Sequence, residues 1–100
     1  VALAGFYRDN LHGREMRLAS IGAEIGRVRE RAGAPHRVAE AALALGRRHV
    51  YDLEGLSAGA VAAAALWLAA YREYGMLIRL ANAAGATVEG VKNAARRMRA

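Results

Sequence analysis

Four side chains within six positions, Lys92, Asn93, Arg96 and Arg97, are of the types that contact nucleic acid. An asparagine amide can pair bidentately with an adenine edge, and an arginine with guanine or with a phosphate. Lysine and arginine beside a polyanion release condensed counterions, which is the main source of non-specific affinity. Thr87, Glu89 and Gly90 stand just before this group. A threonine there can cap a helix and is worth about 1 kcal/mol; its hydroxyl can also bond a phosphate. Gly90 allows close approach to a sugar-phosphate strand, at roughly 1 kcal/mol of helix stability relative to alanine. Glu89 repels phosphates unless it accepts from a cytosine amine. These seven residues are the candidate DNA-binding set. A solvated last helix carries the same types, because arginines suit a helix C-terminus through the macrodipole.

Charge bears on the choice. Within residues 76–100, Arg79, Lys92, Arg96, Arg97 and Arg99 face Glu89 alone, a net +4 out of +6 for the whole chain. The positive charge therefore gathers where the candidate set lies. Arg37, Arg47 and Arg48 form a second candidate phosphate-contacting patch, or a second solvated face.

Other chemistry is poorly supplied. Ser20, Ser57 and Thr87 are the candidate hydroxyl nucleophiles, and neither a His/Asp pair nor a phosphate loop accompanies them. His12, His36 and His49 lack partners at metal-ligand spacing. The expectation is a non-enzyme without cofactor, metal or small-molecule substrate. The chain contains no cysteine, so disulfides and thiolate chemistry are excluded, and a cytoplasmic location is expected. The longest apolar run, residues 59–71, has 13 positions. A membrane span needs about 20, so the run reads as a buried core helix.

The elements that must position the candidate set follow from periodicity. Apolar residues make up 55% of 100 positions, with one proline, which favours one all-α domain. Residues 1–13 lack a clear period and end in Gly13; they read as a leader or linker, with a short helix around 3–8. Leu18, Ile21, Ile25 and Val28 recur at steps of three and four, one stripe of a first helix from Arg14. Gly33 suits its C′ position. Pro35 opens a second helix, with Val38, Ala41, Ala42 and Leu45 as its apolar face, ending near Tyr51. Residues 52–56 form a loop, and Ser57 caps a third helix over 58–74. That helix is apolar nearly all round, which requires neighbours on every side. Trp67, Tyr71 and Tyr74 on it read as core packing. Gly75 ends it, and helices over 76–84 and 88–99 complete the set. Gly85 between these two supplies the left-handed turn of a helix-turn-helix spanning 76–99, with Leu80, Ala81, Val88, Val91 and Ala94 locking the crossing. An ordinary helical corner has the same ingredients.

The order of these segments resembles a cyclin repeat of archaeal transcription initiation factor B, of the factor IIB family. The likeness rests on "AGAPHRVAEAA", "LSAGAVAAAALWLAAYREYG" and "LIRLANAAGATVEGVKNAARRM", and runs from Arg14 to Arg99. It implies a five-helix cyclin-like domain with a central buried helix and a C-terminal helix-turn-helix. It further implies a recognition helix at 88–99 on duplex promoter DNA, presenting Thr87, Glu89, Gly90, Lys92, Asn93, Arg96 and Arg97. The TATA-binding protein or RNA polymerase would be its protein partner. The family has two repeats and a zinc ribbon, whereas this chain carries one repeat and no cysteine. It reads as an excised domain or a stand-alone protein with the same fold. A helical interaction domain without DNA binding and an RNA-binding subunit of a larger assembly are the alternatives.

Overall fold

Seven consecutive residues, Ala60 to Leu66, are all buried. The computed structural model describes the backbone of residues 2–49, 55–70 and 74–99, and the side chains of residues 16–49, 55–70 and 75–99. Every regular element among these is an α-helix: α1 (Ala2–Ala32), α2 (Val38–Arg48), α3 (Ala58–Ala69), α4 (Tyr74–Ala84) and α5 (Val88–Arg99). Seven positions span two helical turns, so α3 is covered on every face. Its neighbours are the other four helices. The architecture is therefore an all-α, five-helix domain with a central buried helix.

Small side chains set how closely the helices pack. Ala60 and Ala62 to Ala65 keep α3 narrow. A Cβ added at Gly59 would lie 2.9 Å from the Ala84 carbonyl oxygen, so the start of α3 passes against the end of α4. Larger residues fill the remaining space: Ile21, Ile25 and Val28 from α1, Leu77 and Leu80 from α4, and Val91 from α5 are almost wholly buried around Leu66. Fully burying a side chain of this size is worth about 1.5–3 kcal/mol.

Helix ends follow local chemistry. Ser57 Oγ accepts from the Ala60 amide at 3.2 Å, capping α3 as expected. Gly33 has φ +70°. The Ala34 and Gly33 amides donate to the Arg29 and Glu30 carbonyls at 3.0 and 3.2 Å, a Schellman close of α1.

Several boundaries differ from expectation. Helix α1 runs through Gly13 back to Ala2, so the expected limit between a leader and the first helix is not a break in the backbone. A mid-helix glycine costs about 1 kcal/mol without ending the helix, and Ala, Leu, Arg and Glu around it favour helix. At 31 residues α1 is about 46 Å long, which accounts for the 51 × 23 × 21 Å dimensions. Pro35 begins a turn rather than α2 itself: the Val38 and Ala39 amides donate to the Pro35 and His36 carbonyls at 3.2 and 3.1 Å. The buried face of α2 is Val38, Ala42 and Gly46, while Ala41 is exposed. Gly46 belongs to that face because a Cβ there would stand 3.2 Å from Ile21 Cγ2. Helix α3 ends at Ala69, where the Ala70 amide is shared between the Leu66 and Trp67 carbonyls. Gly75 lies inside α4, which begins two residues before Met76. The expected positions of Tyr51, Asp52 to Glu54 and Tyr71, and the Tyr74 side chain, lie outside the described residues. No helix among the described residues is long and apolar enough to cross a membrane.

Candidate nucleic-acid interface

The corner between α4 and α5 is built from residues 85–87. Gly85 takes φ +67°. The Ala86 and Gly85 amides donate to the Ala81 and Asn82 carbonyls at 3.0 and 3.2 Å, closing α4. Two residues later the Gly90 amide donates to Thr87 Oγ1 at 2.9 Å, so Thr87 is the N-cap of α5. A Cβ on Gly90 would sit 3.0 Å from that oxygen. Gly90 thus leaves room for the cap, a local reason for a glycine here.

Val91, Ala94, Ala95 and Met98 are the buried stripe of α5. With about 100° between successive residues, Glu89, Gly90, Lys92, Asn93, Arg96 and Arg97 occupy an arc of roughly 160° on the other side. Thr87, Glu89, Asn93, Arg96 and Arg97 are exposed, whereas Gly90 and Lys92 are half-buried. Six of the seven expected residues therefore share one outward surface, and Thr87 caps the helix that carries them. Arg96 Nη1 donates to Asn93 Oδ1 at 2.6 Å. That bond uses one of the two lone pairs of the Asn93 amide oxygen, so Asn93 orients Arg96 in this state. Arg97 lies about 100° further round, on the far flank of the arc.

Not every cation belongs to this surface. Arg79 on α4 donates to the Ala32 carbonyl at the C-terminus of α1. Arg17 and Arg29 likewise bond the Leu56 and Ala34 carbonyls, at 2.8 and 3.2 Å. Arg79 therefore ties two helices together, and α5 alone carries Lys92, Arg96, Arg97 and Arg99 against Glu89, a net +3. Arg47 and Arg48 are exposed at the end of α2 and Arg37 just before its start; the helix packs on α1 and α3.

Sequence reasoning missed two neighbours of the set. Trp67, half-buried near the end of α3, and Arg99 line a cleft with Lys92, Ala95 and Arg96. The spacing 92, 96, 99 signals a shared flank of α5, but nothing in the local pattern places Trp67 beside it. No group of three potential metal ligands occurs among the described residues. Comparison with protein-family models, curated protein sequences and solved structures gives no match.

Proposed function

We propose that the chain is a DNA-binding module whose α5 lies against duplex promoter DNA, in the manner of the cyclin repeats of archaeal transcription initiation factor B. The observation that carries this reading is the outward face of α5, where Lys92, Asn93, Arg96 and Arg97 stand together beside a rigidly closed turn. Arginines at a helix C-terminus also offset its dipole, but a helix end presents only about half a negative charge. Arg96, Arg97 and Arg99 in the last turn exceed that several-fold. Positive charge beyond what the helix end offsets supports contact with a polyanion.

In this reading Lys92 and Arg97 contact phosphates on opposite sides of the helix. Arg96, held by Asn93, points its guanidinium outward to a phosphate or a guanine edge. Thr87 and Gly90 fix the first turn, and Glu89 disfavours some sequences by repulsion. The resemblance adds a protein partner, the TATA-binding protein or the polymerase, which co-purification from an archaeal extract tests separately. For the DNA half, binding of the full chain to a fluorescently labelled duplex is measured across a salt series. The expected result is affinity that falls steeply and log-linearly with salt. No duplex binding at low salt would overturn the reading and leave a protein-docking or RNA-binding domain.

A further inference from the structure

The cleft between the end of α3 and α5 combines an aromatic wall with cations. It has a volume of about 190 Å³ and is lined by Trp67, Lys92, Ala95, Arg96 and Arg99. The four α5 residues fall at i, i+3, i+4 and i+7, one stripe along the helix. Ala95 is buried and small, which opens space beside the indole, while Arg96 and Arg99 are exposed at the rim. Among the described residues, no acidic side chain lines the cleft. Two helix C-termini lie near it, each equivalent to roughly half a negative charge. Helix α3 carries no basic residue in its last turn, whereas α5 carries Arg96, Arg97 and Arg99 in its own. Lys92, Arg96 and Arg99 therefore bring positive charge to the wall of the cleft.

We propose that this cleft holds one unpaired nucleotide of a single strand, its base against the Trp67 indole and its flanking phosphates on Lys92, Arg96 and Arg99. The inference rests on the reading of α5 as a nucleic-acid surface and adds the strand form that this flank takes. An inorganic anion or an acidic peptide would use the cations but not the indole, which packs against the core and is half-buried beside them. A base offers the flat π face that an aromatic wall and a cationic rim hold together. A base paired inside a duplex keeps its faces stacked on its neighbours, so only an unpaired one reaches Trp67.

Trp67 is the single tryptophan of the chain and so reports on the cleft directly. The full chain is titrated with a short thymidine oligonucleotide, a uridine oligonucleotide of the same length, a duplex and a polyglutamate peptide. Indole emission and the anisotropy of the labelled ligand are both followed. Either single strand should quench Trp67 in a salt-sensitive way, and whichever quenches at lower concentration names DNA or RNA as the better strand. The duplex should bind without comparable quenching. Trp67→Leu should weaken single-strand binding about tenfold, and Trp67→Phe should restore most of it. Arg99→Ala, at an exposed position, gives a second test in a chain whose core is untouched and should weaken the same strands. Single strands that fail to bind, or bind with unchanged emission, would overturn the cleft, as would equal quenching by polyglutamate. A silent indole with intact duplex binding removes the cleft alone. Quenching by single strands with no duplex binding removes the duplex reading alone.

Discussion

Arg96 is held by Asn93: its guanidinium donates to the Asn93 side-chain oxygen at 2.6 Å, one helical turn back along the exposed face of α5. The bond places a cation, and under the proposed reading Asn93 acts through Arg96. Asn93→Ala should therefore weaken duplex binding by about threefold, in keeping with the net worth of one hydrogen bond. The loss should be similar for duplexes of different sequence. A competition series across varied duplexes checks this. A loss confined to sites with adenine at one position would assign Asn93 to direct readout instead.

Thr87 and Gly90 are coupled through the cap. Thr87→Ala should cost about 1 kcal/mol, a fall in melting temperature of roughly 4–8 °C for a domain of this size. Gly90→Ala alone should be close to neutral, since the gain in helix propensity is offset by crowding at the Thr87 hydroxyl, 3.0 Å from the new Cβ. In a Thr87→Ala background the same change should stabilise by about 1 kcal/mol. A double-mutant cycle by thermal melting measures the coupling, and strict additivity would contradict it.

Four helix ends were legible in the sequence, because Ser57, Thr87, Gly33 and Gly85 act on amides and carbonyls only a few residues away. The central place of α3 was legible for a different reason: an element with no polar face has to be surrounded. What stayed hidden depends on how helices cross. Gly46 reads as a weak helix residue until Ile21 is seen against it. Arg79 counts as part of the basic cluster until its partner, a carbonyl 47 residues away, is known. Gly13 reads as a boundary, yet a glycine stops a helix only where the backbone turns left-handed, as at Gly33. The candidate set on α5 was found because exposed residues of one amphipathic helix share a face by periodicity alone. The Trp67 cleft was not, since its two halves meet only through the packing of α3 on α5.

Arg79 separates structural from binding charge. Arg79→Ala removes the guanidinium from the Ala32 carbonyl and should destabilise the domain by about 1 kcal/mol, the value of a solvent-screened charged hydrogen bond. Duplex affinity and its salt dependence should not change under conditions where the variant is folded. Urea denaturation beside the binding assay checks both halves. A lowered salt slope would return Arg79 to the interface.

Gly59 tests the close packing of α3 on α4. By propensity alone Gly59→Ala should stabilise a helix by about 1 kcal/mol. The new Cβ would stand 2.9 Å from the Ala84 carbonyl oxygen, a backbone atom that cannot rotate away. Overpacking of this kind costs about 1–3 kcal/mol, so the net change should be destabilising in urea denaturation. A gain in stability would show that the two helices separate readily.

The central claim is that the outward cations of α5 contact phosphates, and it is tested by comparing the salt slopes of duplex binding for the wild-type chain and the Arg96→Ala/Arg97→Ala variant. Each phosphate contact contributes about 0.9 to the slope of log affinity against log salt. The account predicts weaker binding by the variant and a slope shallower by roughly 1.8, with helix content unchanged by circular dichroism. Identical affinity and identical slope for the two proteins would contradict it.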